Sequence, residues 1–181
     1  MDIYRLAERV MAMDDAAWAR HANPWSVYTR FSALPLLALA AWSRMWIGSW
    51  FWLGLAATLL WIWLNPRLFA EPKSLDSWAA RGVMGERLFL DRAERRIDAH
   101  HIPIAHGLSV AAGLCGLVAL YGVIALDAWA TLFGLVVGMG AKAWFCDRMV
   151  WIRRDEEARR RAPGRRLALL RRHGAARAAW I

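Results

Sequence analysis

The chain is poor in the residues that build most soluble scaffolds. It has two cysteines in 181 residues, and they lie far apart, which excludes a disulfide framework and a zinc ribbon. Acid is scarce: 15 Asp and Glu stand against 24 Lys and Arg, a net charge of +9. Period-two alternation is missing, so a half-buried sheet is not expected. Residues 1–23 contain no apolar core of the kind a cleavable signal peptide needs. Five histidines are too few for a membrane di-iron desaturase, which uses many in helical HxxxH and HxxHH sets.

What is present is apolar. Hydrophobic residues make up 59% of the chain and 13 residues are tryptophan, against roughly 45–50% apolar in ordinary soluble domains. A soluble nucleic-acid binder would not carry such long apolar runs, so no nucleic-acid partner is expected. The length allows one compact domain with a small appendage. The expected class is all-α: an integral membrane four-helix bundle with an N-terminal amphipathic interfacial helix and a helical cytoplasmic loop.

Four stretches approach the ~20 residues a spanning helix needs: 24–42, 46–64, 103–126 and 128–151. Unpaired backbone groups are too costly in lipid for an open sheet, so each must be helical. Asn23-Pro24 reads as a cap followed by proline at the first helical position. Pro103 opens the third span in the same way. Asn65-Pro66 should close the second, and Pro35 should kink the first. Domains follow: a four-span unit over 1–152 and an Arg-rich cytoplasmic tail over 153–181.

Positive charge sets the expected orientation. Arg5, Arg9, Arg20 and Arg30 precede or open the first span. Arg67, Lys73, Arg81, Arg87, Arg92, Arg95 and Arg96 fill the middle loop, and ten arginines follow from Arg153 to Arg177. The two hairpin turns carry only Arg44 and Asp127. Both termini and the middle loop are therefore expected in the cytoplasm. Tryptophans fall near both ends of the spans, as in aromatic belts. The tail supplies +7 of the +9 and should rest on anionic lipid headgroups, at about 1 kcal/mol per basic residue.

Residues 2–20 read as one amphipathic helix lying in the interface or packed on the middle loop. In that loop Ser74 is expected to cap a helix through about Leu90, and Asp91 to Glu94 a second helix. Gly82 and Gly85 imply that something approaches the first of these closely. Gly134, Gly138 and Gly140, with Gly113 and Gly116, form smooth faces for packing within the chain or for a homodimer.

Polar residues gather at the expected cytoplasmic ends. Lys142 lies about 15 residues into the fourth span, ~22 Å deep at 1.5 Å per residue. Charges there are rare, paired and often functional, and Glu86 is the first choice of partner. His21, His100, His101 and His106 are candidate iron or zinc ligands, since imidazole and carboxylate suit those metals. Glu86 and Lys142 are the candidate catalytic groups. Asn23, Asn65, Arg67 and Arg87 are the candidate substrate-binding groups, to orient an anionic or carbonyl-bearing molecule.

Three motifs carry a resemblance: Arg20-His21-Ala22-Asn23-Pro24-Trp25-Ser26, Leu64-Asn65-Pro66-Arg67 and Gly85-Glu86-Arg87. Over roughly residues 18–106 the chain resembles a family of small prokaryotic multi-pass membrane proteins known as a domain of unknown function. The resemblance implies a bacterial or archaeal cytoplasmic membrane and no known activity. Two functions stay open: a metal-dependent enzyme acting on a lipid or hydrophobic small molecule at the cytoplasmic interface, or a non-catalytic accessory or assembly subunit of a larger membrane complex. A transporter ranks third, because no charged path crosses the spans.

Overall fold

The computed structural model describes residues 3–94 and 97–178, with side chains from Tyr4 to Ala162 apart from Ala7. The described residues are helical and contain no strand. The helices are α1 (Ile3–Val10), α2 (Asp15–His21), α3 (Pro24–Arg30), α4 (Ala33–Trp42), α5 (Arg44–Ile47), α6 (Phe51–Leu68), α7 (Trp78–Leu90), α8 (His101–Ala125) and α9 (Ala128–Ala178). Three helical segments are long and apolar enough to cross a membrane: Pro24–Leu68, His101–Ala125 and Ala128–Ala162.

The first of these segments is folded back on itself. The chain turns between α4 and α6 through α5 and a single 3-10 turn at Gly48–Trp50. Gly48 takes a φ of +56°, a left-handed conformation that costs glycine little. α4 then packs along α6, with Gly54 close to Ala40. The segment also breaks between α3 and α4, at Phe31-Ser32. Proline explains the place: the Pro35 ring would strike the carbonyl four residues back, at Phe31. A new helix starts at Ala33, putting Pro35 in its first turn, where a missing N–H costs little.

Other boundaries differ from the expectation. α6 runs through Asn65-Pro66 to Leu68, with both residues buried, because Asn65 is anchored on both sides of its amide and Arg67 donates to the Trp63 carbonyl. Ser77, not Ser74, caps α7: its Oγ accepts from Ala80 N at 3.1 Å. Ser74 closes a local turn with Asp76 instead. Asp91 to Glu94 form turns rather than a helix. The N-terminal segment is two helices, because the chain turns at Ala12, φ +45°, and Asp14 caps α2. α9 continues through Pro163-Gly164 to Ala178. The contacts of the arginine side chains beyond Ala162 lie outside the described residues.

Two hairpins result, α4–α6 and α8–α9, and both are capped at one end by α1, α2 and α7. α8 and α9 pack most closely. A Cβ on Gly134 would sit 2.6 Å from the Cys115 carbonyl oxygen, and one on Gly122 would sit 2.6 Å from Thr131 Oγ1. The glycine face of α9 thus serves packing within the chain. α7 lies against the continuation of α9. A Cβ on Gly85 would fall 2.6 Å from the Met149 carbonyl carbon, so what approaches this glycine is helix backbone. Trp78 Nε1 and Trp151 Nε1 both donate to Asp147, at 3.0 and 3.2 Å. The core beneath joins Leu88, Phe89, Ala105, Phe145, Met149 and Ile152.

The two hairpins touch at the end away from α7. There Trp42 Nε1 donates to Thr131 Oγ1 at 3.3 Å, and Arg44 reaches the Val123 and Ile124 carbonyls. Gly85→Ala should force α7 off α9 and destabilise the protein by ~1–3 kcal/mol, the usual range for overpacking. Gly116→Ala, which meets open space, should be neutral or stabilising by up to ~1 kcal/mol. Thermal unfolding in detergent measures both; equal effects would refute the close contact.

Candidate functional site

Between the hairpins, below α1 and α2, lies a cleft of about 590 Å3. That is within the roughly 300–1,000 Å3 range of small-molecule sites. Its deeper wall is apolar: Phe31, Leu34, Ile62, Ala112 and Met139. Its polar end holds His21, Arg30, Glu86 and Lys142. α7 supplies Glu86, α9 supplies Lys142, and α3 supplies Arg30.

Glu86 and Lys142 face each other, Oε1 to Nζ at 3.7 Å. The ammonium also lies 4.4 Å from the centre of the Phe145 ring, within cation–π range. Burial pushes the Glu86 carboxyl up, but Lys142, His21 and Arg30 outweigh it and hold the group below its ordinary value. Glu86 is thus an anion at neutral pH. Arg30 feels the charge of Glu86 without closing to an ion pair, and its positive charge adds to that of Arg67.

His21 is fixed by a relay of hydrogen bonds. Ser26 Oγ donates to Asn65 Oδ1 at 3.0 Å, so it accepts from His21 Nδ1 at 2.9 Å. Asn65 Nδ2 donates to Thr29 Oγ1 at 2.8 Å, which donates to the Trp25 carbonyl at 2.6 Å. The relay staples α2, α3 and α6 and leaves His21 Nε2 with a lone pair. Burial, then the charge of Arg30, drives the His21 pKa down to about 4.

The remaining candidates are placed elsewhere or engaged in structure. Asn23 caps α3 through Trp25 N and donates to the Ala70 carbonyl, each at 2.9 Å. Asn65 is filled by the relay. Arg67 pins the α1–α2 turn through the carbonyls of Met11 and Ala12. Arg87 pairs with Asp15. Each of these four, expected to orient substrate, is bonded near a helix end in the structure. Chain geometry explains it, since each lies within a few residues of a helix terminus with carbonyls or N–H groups to satisfy.

The four histidines do not share a centre. His106 Nδ1 lies 3.1 Å from Tyr4 Oη, and His21 sits in the relay. His100 and His101 come together, ring centres 4.0 Å apart, and His101 Nε2 meets Asp155 Oδ2 at 2.8 Å. The residues that could hold a metal are therefore His100, His101 and Asp155, whose ligand atoms lie within 4.8 Å of one another. Asp155 is not one of the expected ligands, and Glu86, His21 and His106 stand outside this group.

Sequence reasoning missed Arg30, counted there only as a positive charge at the mouth of a span. The signal was present: Arg30 is the one charge between Pro24 and Trp42. It also passed over Glu8, which lines the cleft and is held by Arg5 at 3.1 Å and Trp18 Nε1 at 3.2 Å.

Two outcomes follow. The double-mutant cycle Glu86→Gln and Lys142→Met should show a coupling of about 0.5–3 kcal/mol in stability, as for residues in contact; a coupling of zero would separate the pair. His21 has a folded pKa below its unfolded value of ~6.5. The unfolded chain then binds more protons, and stability is lost as pH falls from ~6.5 toward 4. His21→Gln should flatten that part of the profile in thermal unfolding between pH 7 and 4.5; an unchanged slope would place His21 in water.

No curated protein and no solved structure matches this chain. A family model does, over residues 4–166, which takes in the apolar part of α9 and the first part of the arginine tail as well as the three motifs. The cleft, the relay and the Glu86–Lys142 pair all fall within that match, and the chain belongs to the family of unknown function DUF6653.

Proposed function

We propose that the protein is an integral membrane enzyme that crosses the bilayer four times and acts on an amphiphilic small molecule in the cleft between its hairpins. The observation that carries this reading is the cleft itself: apolar walls at the depth of the apolar helices, closed at one end by an ion pair and a neutral imidazole. Few convergent polar groups in a mostly apolar pocket are the mark of a ligand site. Lys142 is placed to stabilise charge that develops on a bound carbonyl or phosphoryl oxygen, and Glu86, held as an anion beside it, to accept a hydrogen bond from a bound donor.

The exterior supports the membrane reading. Trp46, Trp50, Trp129 and Trp144 are exposed, as are leucines along α4, α6 and α8. In the apolar windows of the three segments only 6%, 17% and 22% of the residues are buried. Such a surface needs lipid. The reversal between α4 and α6 turns the first segment into two crossings. The basic middle loop and tail then lie on the cytoplasmic side, under the positive-inside rule, with α1 and α2 at that interface.

The accessory-subunit reading has one observation of its own. Gly113 and Gly116 on α8 meet nothing within 4 Å, a smooth strip on which another helix could pack.

Reporter fusions at residues 44, 85 and 181 test the topology: an external signal is expected at 44 and internal signals at 85 and 181. External activity at 85 or 181 would overturn it. Ala112→Trp should fill the cleft and abolish binding of a twelve-carbon amphiphile while leaving the fold intact. Binding unaffected by that change would remove the cleft from the mechanism.

A further inference from the structure

We infer that the molecule taken by the cleft carries an anionic head, a carboxylate or phosphate, and that the Arg30 guanidinium is the group that receives it. The inference rests on the amphiphile reading above and names the substrate class of that site.

Arg30 lines the cleft yet makes no hydrogen bond or ion pair among the described residues. A guanidinium brings five N–H donors in a fixed fork, and on the half-buried Arg30 they stay available to an acceptor in the cleft. Every other cation near it is engaged. Lys142 has Glu86 and the Phe145 ring. Arg67 has three backbone carbonyls. Arg5 bridges Glu8 and Asp91.

The two cations at the polar end differ in their partners. Arg30 and Lys142 face one carboxylate, Glu86, while Glu8 is committed to Arg5 and Trp18. His21 adds no charge at neutral pH, since its pKa lies near 4. Among the described residues, Arg30 is then the cation at the polar end of the cleft that has no ion-pair partner. A planar anion fits the guanidinium by two parallel hydrogen bonds, and an alkyl chain attached to it would run along Phe31, Leu34, Ala112 and Met139. A neutral or cationic head would leave Arg30 unmatched.

The shared chemistry is an acid on an alkyl chain. It could come from a membrane phospholipid with an exposed phosphate or from a free long-chain acid. The test uses the full chain in phosphatidylcholine nanodiscs, titrated calorimetrically with dodecyl phosphate, dodecanoate and dodecanol. Both anions should bind at least about tenfold more tightly than the alcohol, as expected of charge-assisted hydrogen bonds. Arg30→Gln should erase that ratio. Arg30→Lys should keep part of it, since lysine supplies the charge without the fork. Competition by phosphatidic acid assigns the site to a lipid; anion binding without such competition assigns it to a free acid. Equal binding of alcohol and anions overturns the inference and leaves the cleft reading intact. Failure of all three compounds to bind overturns the cleft reading itself. Should the Arg30 variants not fold, the anion-to-alcohol ratio of the unaltered protein still decides.

Discussion

The close approach of α7 to α9 at Gly85 governs the site. With no side chain there, the α7 backbone rests on the Met149 carbonyl. That contact carries the next residue, Glu86, to within 3.7 Å of Lys142. A bulkier residue at 85 would move α7 outward and leave both charges without partners. An unpaired ammonium among apolar helices is among the costliest arrangements a protein can hold. The glycine is thus an electrostatic device as much as a packing one. Asp147 fastens the same junction by holding two indoles, one from each helix.

A second constraint works on the opposite wall. The His21–Ser26–Asn65–Thr29 relay ties α3 to α6 through buried polar groups, each with its partner. Such networks are worth most when complete, because any member left unmatched bears a desolvation penalty. This one fixes the helix that bears Arg30. Each wall of the cleft therefore has its own lock, and the hairpins are hydrogen-bonded to each other at their far ends, through Trp42 and Arg44. Between the locks and those far contacts, the space is left open.

Much of this was legible in the sequence, for reasons that can be named. Apolar run length gave α8 and α9, and the rarity of charge inside such runs gave Lys142 and its partner Glu86. Glycine spacing gave the close approaches at Gly134, Gly138 and Gly85, while Gly113, Gly116 and Gly140 meet open space. Local rules failed where tertiary contacts overrode them. Asn65-Pro66 should end a helix, yet the relay and the Arg67 carbonyl bonds carry it on to Leu68. Ser74 looked like a cap, but a serine three residues later lies nearer the packed face of α7. The histidines clustered in sequence and scattered in space: five residues, about 1.4 helical turns, separate His101, which faces α9, from His106, which faces Tyr4. Asp155 could join His100 and His101 only once α9 was known to extend past the apolar run.

Arg30 shows the limit most plainly. The positive-inside rule accounts for an arginine near a span end without asking where its side chain points. Arg30 lies in the last turn of α3, where it lines the cleft, and α4 starts at Ala33 with Pro35 in its first turn. Glu86 answers Lys142 at short range and Arg30 only at longer range, where the Coulomb energy falls as the inverse of distance. Among the described residues, Glu86 pairs with Lys142 and leaves Arg30 beside the cleft without an ion-pair partner.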